Sequence, residues 1–388
     1  MMRRLRVLFS SSGLLGHIHP LVPLATALRS RGHDVCWATG PDGCTGVEQA
    51  GFEAVAAGLS RRERFAELIR RYPELEELPA EEQPDFMFAK VFGEIGAPAM
   101  LADLLPLVES WRPELVVNDA AEFAAPIAAR MLEVPHVTHA FGALLPAAAV
   151  REASEAAAVL WRAQGLEPRS YGGLYDHLYV DIYPPSLQPP GGEHVGARQL
   201  LRPVAFAGTT DDGVRTDITK RTGRPLVYLT FGTVFDEYDL FAAAVAGIGG
   251  LGVGLVVTVG PDGDPAALGP QPDRVVVERY IPQTQLLPEC DVVASHAGSG
   301  TILAALAMGI PQLCLPQRAD QFLNAAAVAG AGAGLAIPPA AVDATAVAQA
   351  TRRLLEDSSF RRAARAVADE ITLMPSPDDV TMVLETLR

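Results

Sequence analysis

A histidine in the loop after one apolar strand and an aspartate following another are a proton acceptor and a group able to orient it. His17 stands in Gly16-His17-Ile18-His19-Pro20, between the apolar run 5–10 and a helical pattern opening near Leu21, while Asp119 follows the run 115–117. Strand ends in one sheet converge, so the Asp119 carboxylate can hydrogen-bond one ring nitrogen and leave the other free to accept a proton. A helix N-terminus at His17 would also disfavour the imidazolium. A lone loop histidine is otherwise a solvated one, and His19 is better suited to packing or capping.

A second constellation suits phosphate. His296-Ala297-Gly298-Ser299-Gly300-Thr301 falls between the apolar run 292–295 and a helical pattern. Glycines there let backbone amides approach an anion at a helix N-terminus, where unpaired N–H groups and the dipole favour negative charge. Ser299 or Thr301 can add a hydroxyl and His296 an imidazole N–H. An ordinary capped helix would read the same way. Phe231-Gly232-Thr233 closes an earlier strand of the same half and offers further amides or a hydroxyl. Asp320-Gln321, with Asn324 one turn on, pairs an acid with an amide that suit adjacent sugar hydroxyls. Asp320 as a plain N-cap is the alternative. The turn at 296–301 has no lysine for a P-loop and does not read GxGxxG.

The elements that must position these residues alternate. In the first half, strands are expected at residues 5–10, 34–38, 52–56, 115–117 and 134–138, with helices at 21–31, 43–50 and 123–132. The stretch 61–111 is helical and too long for a simple crossover. From 184 to 202 proline, glycine and polar residues break every pattern, which places a linker there or just after. Strands are expected again at 226–231, 254–259, 275–278, 292–295 and 312–315, and helices from about 240 and at 283–287, 300–308 and 321–329. Such alternation builds parallel sheets with right-handed crossovers. The expected fold is therefore α/β, two Rossmann-like doubly wound domains over 1–205 and 206–372. Residues 373–388 form a helix crossing back to the first. Ligands of such sheets sit outside the strands' carboxyl ends, so facing halves would share one active site in the cleft between them.

At 388 residues the chain is long enough for two cores, and nearly half of it is apolar, much of that alanine. A net charge of −15 argues against a nucleic-acid partner, which needs a basic surface. No run of about 20 unbroken apolar residues is present for a membrane span. Cys36, Cys44, Cys290 and Cys314 include no CxxC pair and suit buried free thiols in a reducing cytoplasm.

Taken in order, GHIHP, ELVVNDAAEFAAPIAARMLEVP, VYLTFGT and ERYIPQTQLLPECDVVASHAGSGTILAALAMGIPQLCLPQRADQFLNA resemble the GT-B nucleotide-sugar glycosyltransferases of natural products, in particular the actinobacterial antibiotic enzymes. The resemblance spans nearly the whole chain, and its last motif is highly specific. It implies an inverting transfer of a sugar from a dTDP- or UDP-sugar to a hydroxyl of a small apolar aglycone. His17 would be the general base and Asp119 its partner. By the same resemblance Tyr280, Ile281 and Gln283 lie near the base, Gly232, Thr233, His296, Gly298, Ser299, Gly300 and Thr301 near the diphosphate, and Asp320 and Gln321 near the sugar. Plant relatives place a tryptophan where this chain has Tyr280, so base recognition leans on the Ile281 backbone. Helix amides and His296 meet the diphosphate charge, so no metal or other cofactor is implied, and no DxD pair stands beside the donor motif.

The acceptor is expected against first-domain loops, 61–92 and 139–179, with Phe123, Phe141, Trp161 and Tyr175 as apolar contacts. Two rival readings keep the frame: an auxiliary GT-B partner without transfer, and a lipid-linked cell-wall glycosyltransferase, for which the acidic balance offers little. Whether the chain pairs as a homodimer stays open at this level.

Overall fold

The computed structural model describes residues 4–73, 75, 87–206, 224–232, 238–260 and 263–387. The chain divides into two compact units. The first comprises Met1–Tyr183, Pro189–Arg202 and Pro375–Arg388, and the second Pro184–Gln188 and Pro203–Met374. The short stretch Pro184–Gln188 goes with the second unit because Ser186 donates from its backbone N–H to Glu370 Oε1 (2.9 Å) and from its hydroxyl to the other carboxylate oxygen.

In the first unit, strands β1 (Arg6–Ser11), β2 (Asp34–Thr39), β3 (Glu53–Ala56), β4 (Leu115–Asp119), β5 (His136–His139), β6 (Leu178–Asp181) and β7 (Arg198–Leu200) form a sheet in the order β3-β2-β1-β4-β5-β6-β7, every pair parallel. The second unit repeats the plan with β8 (Leu226–Thr230), β9 (Gly254–Thr258), β10 (Val275–Glu278), β11 (Val292–Ser295), β12 (Gln312–Cys314) and β13 (Gly334–Ala336), in the order β10-β9-β8-β11-β12-β13. Parallel strands covered by helices on both faces read as unbroken apolar runs, which is how LVVND, GLVVT and VVAS read here. In β8, Val227 and Leu229 point into one core cluster and Leu226 and Tyr228 into another, as the period of two requires. Strand order reverses between β1 and β4, and again between β8 and β11.

Several elements exceed the expectations. β6 and β7 occupy the region taken for loop and linker, with Arg198 bonded to the buried Asp181 at 2.6 Å. The helix Ala147–Ala163 runs through a stretch expected to be poorly patterned. Its buried residues Val150, Ala153, Ala157 and Trp161 do recur at helical spacing, but alanine gives little apolar contrast. β13 and the helices Ala344–Glu356 and Ser358–Leu373 were likewise not foreseen. The helix 89–111 is long and apolar enough by composition to cross a membrane. It contains Lys90, Glu94, Asp103 and Pro106, and its Met100, Leu101, Leu104 and Val108 pack into the first unit's core.

The C-terminal helix Pro377–Leu384 packs on the helix Val22–Ser30. Arg31 grips Glu385 with both Nε (2.8 Å) and an Nη (2.9 Å), and His33 reaches the same carboxylate at 3.0 Å. Leu5 N–H donates to His33 Nδ1, so the proton His33 shares with Glu385 sits on Nε2.

Each unit also contains a helix crossing that only glycine permits. A Cβ on Gly93 would lie 2.8 Å from the Cα of Ala153 and closer still to its carbonyl oxygen, and one on Gly247 would strike the carbonyl oxygen of Ala344. Backbone atoms cannot yield as a side-chain tip can. Gly93→Ala and Gly247→Ala are each expected to lower unfolding stability by about 1–3 kcal/mol. Denaturant titration checks this, and unchanged midpoints would mean the helices can separate without loss.

Candidate active site

Asp119 ends β4, directly beside the end of β1, and is completely buried. Its Oδ2 accepts the Ser12 backbone N–H at 2.7 Å, and its Oδ1 accepts the Ala121 N–H at 2.7 Å and faces His17 Nδ1 at 3.2 Å. An ionised carboxylate only accepts, so Nδ1 carries the proton and Nε2 keeps its lone pair. His17 lies in the first turn of the short helix Leu15–Ile18, whose N-cap is Leu14, and the chain stays helical through 19–21 into the helix Val22–Ser30. The ring is further held by aromatic contacts. Phe141 packs on it with centroids 4.1 Å apart and Phe92 approaches at 5.5 Å.

Glu122, three residues beyond Asp119, is a second buried carboxyl. It accepts from Ser10 Oγ (2.8 Å) and from the N–H groups of Ala124 (2.5 Å) and Ala125 (2.9 Å), at the start of the helix Ala125–Met131. Burial pushes its pKa up to about 7, and the neighbouring Asp119 adds to the rise.

The four acceptor residues separate. Phe141 meets His17. Tyr175 is half-buried beside Tyr171 and His194. Phe123 and Trp161 are corrected: both are core side chains at 0% and 2% exposure, with no surface to offer a ligand. Phe88 and Phe92, which the sequence left unmarked, pack partly buried against the same cluster as Phe123 and Tyr175.

In the second unit, β11 runs into a turn at Ala297, whose φ of 68° is a left-handed conformation costing a non-glycine residue about 1–2 kcal/mol. The turn delivers Gly298 as N-cap of the helix Ser299–Ala307, and no side chain caps that end. Its first amides are therefore open to an anion. The His296 imidazole lies between two glycines. A Cβ on Gly298 would sit 2.5 Å from its Nε2, and one on Gly232, itself at φ 79°, would sit 2.8 Å from its Cε1. Burial pushes His296 down to about 4, with Asp320 and a hydrogen bond to the Thr230 backbone carbonyl opposing, so at neutral pH the ring is uncharged and its one N–H goes to Thr230.

Asp320 Oδ2 accepts from Ser299 Oγ (2.9 Å) and Asn324 Nδ2 (3.0 Å), and Asn324 also donates to the Ala297 carbonyl. Asp320 is the N-cap residue of the helix Gln321–Gly330 but makes no cap hydrogen bond, so its carboxylate serves the glycine-rich turn instead. Gln321 Oε1 takes the N–H groups of Gln317 and Arg318, so its oxygen is engaged by the preceding turn. Gln283 donates to Thr301 Oγ1 at 3.1 Å. Ile281 is core, so only its backbone can face a ligand, whereas Tyr280 is about half exposed. Gly300 is exposed and Thr233 lies outside the described residues. A buried chain of hydroxyls, Tyr228 to Thr258 to Thr230, each step 2.9 Å, ends on the Gly232 N–H. Nothing in a sequence marks three hydroxyls on two neighbouring strands, Tyr228 and Thr230 on β8 and Thr258 on β9, as one chain.

The chain matches the family described as erythromycin biosynthesis protein CIII-like, its N-terminal domain over residues 26–209 and its C-terminal domain over 244–387. It is 31% identical over 380 residues to the L-demethylnoviosyl transferase of Streptomyces niveus, covering 96% of each chain. To the elloramycin glycosyltransferase ElmGT of Streptomyces olivaceus it is 33% identical, covering 98% and 97%. The chain belongs to this family of antibiotic glycosyltransferases. Among solved structures it superposes on the glycosyltransferase SnogD from Streptomyces nogalater with a TM-score of 0.78 at 30% identity, covering 98% and 99%. On the spinosyn rhamnosyltransferase SpnG complexed with spinosyn aglycone the TM-score is 0.82 at 28% identity, covering 98% and 100%. The fold is GT-B, and the protein is a glycosyltransferase.

Glu122 gives a pH signature. The unfolded chain ionises this carboxyl near its ordinary value of 4.5, and the folded chain holds the proton until about 7. Folding stability from this group is thus lost as pH rises through that window. Glu122→Gln cannot titrate and leaves one backbone N–H facing an amide NH₂. It is expected to be less stable than wild type at pH 4.5 by a margin that narrows towards pH 7.5. Thermal midpoints across that range test this, and a constant margin would refute the assignment.

Proposed function

We propose that the protein transfers a deoxysugar from a dTDP-sugar to an aglycone hydroxyl with inversion at the anomeric carbon, His17 acting as general base. The carrying observation is the 3.2 Å approach of His17 Nδ1 to Asp119 Oδ1. With that tautomer set, His17 Nε2 takes the acceptor proton as the oxygen attacks the anomeric carbon, and the Asp119 carboxylate stabilises the imidazolium formed. The carbon–oxygen bond to the diphosphate breaks in the same displacement, and the nucleoside diphosphate leaves with the electron pair.

The second unit suits that leaving group. The amides of Ser299, Gly300 and Thr301 at an uncapped helix start are donors for the growing charge on the diphosphate, and the uncharged His296 ring packs beside them. Asp320 Oδ1 and the Gln321 NH₂ remain for sugar hydroxyls. Because these donors meet the charge, the reading needs no metal. Thymidine diphosphate as the donor nucleotide is supported by the relatives: SsfS6 from Streptomyces sp. SF2575 is described in complex with it at 27% identity, and SpnG at 28%.

Calorimetry with dTDP and UDP, each with and without Mg²⁺, should give micromolar dTDP binding that magnesium does not change. His17→Ala and Asp119→Asn should keep that binding and lose roughly 10²–10⁴-fold in transfer rate. Turnover left intact in His17→Ala would sink the base assignment, and dTDP binding that appears only with Mg²⁺ would sink the metal-free donor site.

A further inference from the structure

The helix Arg61–Arg71 carries an inversion of the usual order of burial. Phe65 is 55% exposed, while its neighbour Arg64 is only 9% exposed. A buried guanidinium has five N–H donors to satisfy, and leaving a charge without partners in the interior is costly. Arg64 has one marginal hydrogen bond, from an Nη to the Leu59 carbonyl at 3.3 Å. Its Nε is buried with no partner, and among the described residues no carboxylate forms an ion pair with it. Asp42 and Asp119 are the charges that favour it electrostatically, but both are spent elsewhere, Asp42 on the Arg61 N–H and Asp119 on Ser12, Ala121 and His17.

The location is informative. The guanidinium lies 5.9 Å from the centroid of Phe92, and Phe92 is the ring that approaches His17 at 5.5 Å. A cation with unspent donors thus stands beside a half-buried aromatic wall leading to the candidate base. A planar fork of this kind matches an oxyanion better than any neutral group.

We propose that Arg64 is an acceptor-recognition residue, its guanidinium taking a carboxylate or an acidic phenol or enol oxygen of an aglycone whose apolar body lies on Phe92. The acceptor class is then acidic and amphipathic instead of purely apolar. This rests on the transferase reading only for the name acceptor; the binding site itself does not require turnover.

The test uses 3-hydroxy-2-naphthoate and its methyl ester as probes, titrated against the full chain at pH 7.5 by calorimetry. Wild type should bind the acid roughly 10- to 100-fold more tightly than the ester. Arg64→Met should remove that preference while leaving ester and dTDP affinities within about twofold. A merely structural role for Arg64 would weaken both probes together. Should Arg64→Met not fold, Arg64→Gln carries the same test. Absence of an acid preference in wild type, including absence of binding by either probe, overturns the proposal, as does a preference that survives either substitution. Loss of transfer in His17→Ala with the naphthoate preference intact would be the expected separation of the two readings. Intact transfer in that variant would count against the base and leave Arg64 standing.

Discussion

The first unit turns on one buried carboxylate. Asp119 has no exposed surface, and each of its oxygens is filled by a donor fixed in the fold: the Ser12 amide from the end of β1, the Ala121 amide from its own turn, and His17 from the short helix beyond β1. This arrangement needs β1 and β4 to be neighbours with their carboxyl ends level, which is what a sheet that reverses its order at that point supplies. An ionised group so deep in the protein is tolerable only when its lone pairs are met. The same requirement that stabilises Asp119 therefore fixes the tautomer of His17.

The second unit is organised around a pair of glycine turns. Its equivalent reversal, between β8 and β11, brings together the Gly232 turn and the His296 turn. Both glycines there are demanded by the imidazole's bulk, and the strained Ala297 is held by hydrogen bonds, its N–H to Ser295 Oγ and its carbonyl to Asn324. Strain kept in place by a surrounding network is a mark of a functional turn. Asp320 belongs to that network through Oδ2, which accepts from both Ser299 and Asn324.

Phe141 and Phe92 pack on the His17 ring, whereas Phe123 and Trp161 belong to the cores beneath. Aromatic residues in a long segment carry no sign of which face they will occupy. Arg64 was equally silent, since an arginine on a charged helix reads as solvated until its neighbours are seen to bury it.

By itself the sequence determined the alternation of apolar runs and helical patterns, hence two parallel α/β sheets, together with the glycine-rich turn at 296–301, His17 and Asp119. These are legible because period and composition are local, and because the helix start, the turn and the strand end each need particular residue types. Only the tertiary structure decided the remainder. It showed that β6, β7 and an alanine-rich helix fill a stretch that looked irregular, that Phe141 packs on the His17 ring, and that three hydroxyls on two neighbouring strands join into one chain. It also showed that Glu122 is buried beside Asp119 and that Arg64 faces inward while Phe65 faces out. Each of these depends on what distant segments place against a residue, and burial by distant segments sets the energy of a charge or a ring without leaving a trace in its immediate sequence.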